Sequence, residues 1–346
     1  MKTKILVCLL ICASIITACT VEPTTLVVMT HDSFAASETV ISAFEEQYGV
    51  EVAFLPSGDA GSTLNRAILS KGAPIADVLY GIDNTFLSRA LEEDLFIPYA
   101  PEALQDVIAG VPLVPGNALV PVDFGDVCIN YDRAYFSERA LDLPQTLQDL
   151  LDPAYAGLLV VENPATSSPG LAFLLATVAE FGPDEYLAFW QDLKQNDVVV
   201  VNDWETAYYT NFSGSAGRGP QPMVVSYGTS PAAEVIFAET PLDDSPTASL
   251  LGPNMCYRQI EYAGVLKGTQ NEELAQAFVD FLLSLQFQND IPLNMFVYPV
   301  NKNAQVPQEF LDHAPQPQNP AVLDAELIAQ NRETWIASWR ELFTNQ

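Results

Sequence analysis

Apolar and polar positions along the chain alternate between two periods, and the switches between them outline the fold. "TLVVMT" is a short β-branched run, and "HDSFAASETVISAFEEQYG" then carries apolar residues at helical spacing and closes on Gly49. "VEVAFLPSG" is again a strand, and "SGDAGSTLNRAILSKG" gives a small polar loop feeding a helix. "ADVLYGIDNTFLSRALEEDLF" repeats the same order. Strands alternating with helices predict an α/β fold with a mainly parallel sheet flanked by helices on both faces.

Near "LVPVDFGDVCINYDRAYF" the pattern changes to a long extended stretch, which predicts a crossover into a second lobe. There "GLLVVENPATSSPGLAFLLATVAEFG", "DVVVVNDWETAYYTNF" and "QPMVVSYGTSPAAEVIF" restart the strand, loop, helix order. "MCYRQIEYAGVLKGT" predicts the return strand. Two crossings place residues 26–121 and 263–346 in one lobe, with its C-terminal helices, and 122–262 in the other. The cleft between the lobes then collects loops from the carboxyl ends of strands in both, where open α/β sheets bind ligands. "SGSAGRGPQP" reads as a flexible surface insertion, and no internal repeat is visible.

A length of 346 residues with 49% hydrophobic composition is enough to fill two cores. A formal charge of -30 repels phosphate backbones, so nucleic acid is not an expected partner. The N-terminus places Lys2 and Lys4 before an apolar run from Ile5 to Ile16 that is too short for a comfortable membrane span, the form of an export signal. It ends Ile16-Thr17-Ala18-Cys19, which resembles a bacterial lipobox, so residues 1–19 read as a lipoprotein signal and 20–25 as a tether. Cys19 would carry the lipid, anchoring an exported protein at the outer face of the cell membrane or in the periplasm. After cleavage Cys128 and Cys256 remain in the body of the protein. Two readings stand side by side for them, a disulfide and a pair of small buried residues in core strands.

Candidate chemistry is sparse. The chain has two histidines, His31 and His313, and no HExxH, GxSxG or P-loop pattern. Ser226, Thr229 and Ser230 have no neighbouring base to activate them and sit where helix caps are expected. Asp32, Asp59 and Asp83 each follow a strand, where a carboxylate caps the next helix by default. What the loops share is an aromatic or a carboxylate beside Ser, Thr and Gly, groups that orient a polar or cationic small molecule without reacting with it.

"THDSFAAS", "ADVLYGIDN", "VPVDFGDVCINYD", "NPATSSPGL", "DWETAYY", "SYGTSP", "FQNDIPL…VYPV" and "RETWIASWRE" occur in an order that resembles the thiamine-binding proteins of ABC importers, from about residue 26 onward. The resemblance implies a two-lobed periplasmic-binding-protein fold of type II. It further implies a monomer, without cofactor or enzymatic activity, that delivers thiamine or its phosphate esters to a permease and its ATPase. Carried over, the phosphate or hydroxyethyl end meets Asp59, Ala60, Thr166 and Ser167, and the ring region meets Trp204, Tyr227, Gly228, Thr229 and Ser230. Asp32 or Asp83 would balance the cation. The chain departs from the pattern at His31, Ala233 and Phe296, where relatives carry aromatic residues or a tryptophan, so the ring pocket is expected to be thinner. Ferric-ion carriers of the same superfamily resemble it in other residues, Tyr208-Tyr209 with His31, and a ferric-ion or polyamine carrier is the alternative reading.

Overall fold

The computed structural model describes residues 24–215 and 218–344; the export signal, most of the tether and Cys19 lie outside the described residues. In chain order the first stretch runs β1 (Thr24–Thr30), α1 (Glu38–Tyr48), β2 (Val50–Pro56), α2 (Ala60–Leu69), β3 (Val78–Asp83), α3 (Leu87–Glu92) and β4 (Phe96–Ile97). The long β5 (Val120–Asp132) leads to α4 (Arg133–Arg139), β6 (Leu159–Glu162), α5 (Ser168–Phe181), α6 (Tyr186–Gln195), β7 (Val199–Val201), β8 (Met223–Tyr227), α7 (Ser230–Ile236) and β9 (Thr247–Leu250). β10 (Tyr257–Leu266) returns, followed by α8 (Glu272–Leu283), α9 (Leu285–Gln288), α10 (Ile291–Met295), β11 (Tyr298–Pro299), α11 (Gln308–His313) and α12 (Ala325–Thr344).

Local chemistry sets the helix ends. Gly49 stops α1 in the left-handed conformation at φ 66°. Asp59 starts α2 by accepting the Ser62 amide, and Ser167 starts α5 by accepting the Gly170 amide. The segment "WETAYYTN", expected to be helical, forms a π-helical turn over Thr206–Asn211.

The strands join in one sheet of order β2-β1-β3-β10-β5-β8-β6-β7, with β4, β9 and β11 added at its sides. Pairing is parallel at both ends, β1 with β2 and β3, and β6 with β7 and β8. It is antiparallel around β5 and β10, the two strands that cross between lobes. Phe124 packs in the first core and Val127 in the second, while on β10 Tyr257 packs in the second and Ile260 in the first. Both crossings therefore fall a few residues inside the expected boundaries. Arg258 and Asp126 form a two-pronged ion pair across them, at 2.9 and 2.8 Å, and the guanidinium lies 4.5 Å from the Phe124 ring.

Two features go beyond the sequence reading. Cys128 and Cys256 are joined by a disulfide, with Cα atoms 4.1 Å apart, which selects one of their two readings. Within 263–346, Phe278, Phe287, Ile291 and Phe310 of α8 to α11 pack in the first core, whereas Trp335 and Trp339 of α12 pack in the second. Trp335 and Trp339 of α12 pack on Tyr186 and Trp190 of α6, at 6.4 and 5.5 Å between ring centroids, because the second core offers the aromatic seat. The start of α12 still touches the first lobe: the Ser88 hydroxyl donates to the Ala325 carbonyl at 2.8 Å, and Arg332 lies 4.1 Å over the Phe86 ring. No helix among the described residues is long and apolar enough to cross a membrane.

Candidate functional site

The second lobe offers an aromatic wall. Trp204, just before the π-helical turn, stacks on Tyr208 at 5.1 Å with ring planes 20° apart, and Tyr227 at the end of β8 is tilted 6.1 Å away. The Trp204 indole donates to the Ser226 hydroxyl at 2.8 Å, and Ser226 lies 3.0 Å from the Ser230 hydroxyl. Thr229 donates to the Phe296 carbonyl at 2.7 Å, linking this loop to α10 and β11. The hydroxyls of Thr229 and Ser230, expected to meet ligand, are thus engaged within the protein and fix the wall. At Gly228 a Cβ would stand 3.4 Å from both the Asp126 carbonyl and the Cys128 sulfur, so the loop is packed closely against the crossing strand β5.

Helix starts from both lobes meet in one cavity of about 220 Å³. Asp59 and Phe86 reach it from the first lobe, and Thr166, Ser167 and Leu171 from the second. Ala60 is buried in the first turn of α2 beside it. Asp59 and Ser167 are helix caps here, and the Thr166 hydroxyl donates to the Asn202 carbonyl at 2.7 Å. The remaining wall is α12, with Arg332, Glu333, Ile336 and Arg340. These two arginines were missed in the sequence, because "RETWIASWRE" is far from every other site segment and only packing brings it there. Arg332 is paired with Glu333 at 2.6 Å and the Asp59 carboxylate lines the same wall, so Arg340 and the start of α5 are the parts of this corner that favour an anion. A second cavity of about 490 Å³, beside β7 between α6 and α12, contains none of the expected residues.

The first lobe contributes a buried acidic cluster. His31 sits at the end of β1 with its Nε2 3.2 and 3.3 Å from the two oxygens of Glu261 on β10. Glu261 is the register partner of Asp123 on β5, and the Tyr80 hydroxyl donates to Asp123 while lying 3.1 Å from Glu261. Gly81, at φ 91°, makes room for the imidazole; a Cβ there would stand 2.2 Å from His31 Cδ2. Burial opposes charge on His31, yet the Glu261 carboxylate and its hydrogen bond, aided by Asp83 and Asp32, outweigh it and raise the pKa. Burial and the Glu261 charge hold the Asp123 carboxyl well above the usual range, whereas His31, with smaller help from Tyr80 and Asp123, overcomes burial to lower that of Glu261.

Asp32 and Asp83, the expected counter-charges, are each held by a loop amide, Asp32 by the loop after β2 and Asp83 by its own turn. Asp32 accepts the Gly58 amide at 2.8 Å, and Asp83 accepts both the amide and the hydroxyl of Thr85, at 2.7 and 2.5 Å. Burial raises the Asp83 pKa to about 6, against its Thr85 bonds and with Glu261 adding to the rise. The native protein therefore binds a proton more tightly than the unfolded chain between about pH 4 and 6, and stability falls as pH rises through that window. Asp83→Asn keeps an acceptor for Thr85 and should remove this fall. Urea midpoints of both proteins at pH 4 and pH 7 check it, and equal pH slopes would count against the assignment.

Two further side chains escaped the sequence reading. Glu162, at the carboxyl end of β6, is fully buried with neither carboxyl oxygen hydrogen-bonded, and burial pushes its pKa well up, so the neutral acid is the buried form. Phe237, one turn beyond Ala233 at the end of α7, is 70% exposed with its ring 5.2 Å from Phe296. It returns an aromatic face to the rim that Ala233 leaves bare. The only available signal for either was residue type, which does not separate core from cleft.

Chemically the site binds and orients. The Ser226–Ser230 hydroxyl pair is bonded to an indole rather than to a base, His31 is paired with Glu261, and His313 lies 3.3 Å from Asp244. Among the described residues no group of three or more His, Cys, Asp or Glu side chains is arranged to hold a metal ion. Tyr208, of the Tyr208-Tyr209 pair, donates to Glu234 at 2.7 Å.

Comparison with known proteins gives consistent findings. A sequence profile of the bacterial extracellular solute-binding proteins matches residues 73–331. The thiamine-binding periplasmic protein of Escherichia coli K12 is 32% identical over 348 residues, covering 98% of each chain. The solved structure of a periplasmic thiamin binding protein superposes with a TM-score of 0.79 at 29% identity, over 93% of this chain and 96% of that one. Iron-bound HitA from Pseudomonas aeruginosa shares the fold, with a TM-score of 0.73 at 22% identity over 92% of this chain and 99% of its own.

Proposed function

The chain belongs to the bacterial extracellular solute-binding protein family, with the two-lobed type II fold, and we propose that it captures thiamine or a thiamine phosphate for an ABC importer. The observation that carries this reading is the meeting of helix starts from both lobes in one cavity, with the Thr166 hydroxyl bonded to the Asn202 carbonyl two residues before the Trp204 wall. A flat cationic ring stacks on Trp204 and Tyr227, each good contact contributing about 0.5–2 kcal/mol. A hydroxyethyl or phosphate end reaches the corner formed by Asp59, Ala60, Thr166 and Ser167, with Arg332 and Arg340 on its far side. The permease and ATPase of the importer are the partners, and a lipid on Cys19 keeps the protein at the membrane, outside the cytoplasm. No bond of the ligand is made or broken; release matters as much as capture, which is why hydroxyls without a base suffice.

Titration of the mature protein with thiamine, its mono- and diphosphates, ferric citrate and putrescine, followed by tryptophan fluorescence, tests the reading. Quenching by thiamine compounds at micromolar concentration or below is expected. A tyrosinate-iron absorption band with no thiamine response would replace it with the ferric reading. Trp204→Ala should remove most of the quenching and weaken affinity by roughly 2- to 30-fold. Unchanged quenching and affinity would make Trp204 a purely structural residue.

A further inference from the structure

Asp32 and Asp83, which the resemblance would have balance the cation, are bonded to the Gly58 and Thr85 amides, whereas Glu261, beside His31, keeps its side chain 19% exposed. We propose that Glu261, with Asp123 behind it, is the counter-charge for the cationic ring of the ligand, and that His31 holds this place while the cleft is empty. This rests on the thiamine reading for the identity of the cation.

Three observations carry it. Strand register alone sets Glu261 opposite Asp123, so two carboxylates are held together in the interior, and Asp123 Oδ1 is fully buried with no hydrogen-bond partner. Asp123 is held as the neutral acid, so Glu261 carries the charge of the cluster and calls for a cation. Of the groups facing Glu261 or His31, Tyr80 and Asp83 come from β3, Asp123 from β5, Tyr227 from β8, and Asp32 from the loop after β1; His31 is the one that can become a cation. The cluster also borders the segment that anchors the aromatic wall, since the Tyr80 hydroxyl lies 3.6 Å from Met295 Sδ, next to the Phe296 carbonyl that accepts the Thr229 hydroxyl.

Imidazolium and ligand then compete for one carboxylate. When the ligand cation takes Glu261, His31 loses the partner that kept it charged, and its proton passes to solvent. Below the His31 pKa each unit of pH lost should weaken binding of a cation by up to about tenfold, and above it affinity should level off.

Calorimetric titration of the mature protein with thiamine at pH 6, 7 and 8 tests this. The wild type should bind more tightly as pH rises. Glu261→Gln should lose about 30-fold or more at pH 8, together with the pH dependence. His31→Gln should bind with little change between pH 6 and 8, and circular dichroism melts verify that both variants fold. Intact wild-type binding with the wild-type affinity and slope retained in Glu261→Gln overturns the proposal alone, as does a wild-type slope in His31→Gln. Absence of thiamine binding by the wild type overturns the underlying reading and the proposal with it.

Discussion

Replacing Cys128 and Cys256 together with alanine should lower the unfolding free energy by about 5 kcal/mol, the value expected from chain entropy for a loop of this size. The two cysteines are 128 residues apart, so the bond closes nearly the whole second lobe into a ring. Without it the unfolded chain gains the freedom of that ring, while the folded state loses only a small buried contact. A loss this large is comparable with the entire stability of many domains. The location adds a functional effect. Cys128 lies on β5 just past the crossing, Cys256 immediately precedes β10, and a Cβ at Gly228, in the loop after β8, would stand 3.4 Å from the Cys128 sulfur. The bond thus clamps the two crossing strands at the floor of the aromatic wall. Urea unfolding of the wild type with and without reductant, and of the double variant, measures the difference; a change under about 1 kcal/mol would show that the unfolded chain is already constrained there.

The second large effect is expected for Trp339→Ala, with a loss of about 3–5 kcal/mol from an emptied aromatic site. Trp339 is 1% exposed, meets Trp190 edge-on at 5.5 Å and stacks on Phe343 at 4.4 Å. Its indole N–H is buried without a partner, so truncation also removes an unsatisfied donor, which places the expected loss at the lower end of that range. The consequence reaches the site because α12 carries Arg332 and Arg340 into the interlobe cavity. Affinity for thiamine phosphates should therefore fall more than affinity for thiamine. Trp339→Phe, which keeps a ring in the seat, should recover most of both. Equal losses for the two ligands would show that α12 supports the fold without shaping the anion corner.

Much of the architecture is legible in single segments. "TLVVMT" and "VEVAFLP" announce strands because β-branched runs fit a pleated, buried surface, and they pair in parallel as the intervening helix demands. Asp59 and Ser167 announce helix starts because a short polar side chain satisfies an amide two or three residues on, a purely local event. The same locality shows in Asp83, which bonds the Thr85 amide of its own turn, whereas Asp32 reaches an amide 26 residues away. Among the candidate residues, Trp204 and Tyr227 are legible because their motifs are contiguous and follow strands.

The sequence by itself determined the alternating lobes, the two crossings, the helix starts and the residue types that can orient a cation without reacting with it, since these follow from chain neighbours and from period. Only the tertiary structure decided that Cys128 and Cys256 are bonded, that α12 leaves the first core for the second and carries two arginines to the cleft, and that Glu261 stands against Asp123 beside His31. Each of these joins residues far apart in the chain. Their meeting is set by strand register, including the shift between Glu261 and Tyr262, and by which core has room for a tryptophan. Hydrophobic period records which face of an element is buried, but not which partner buries it.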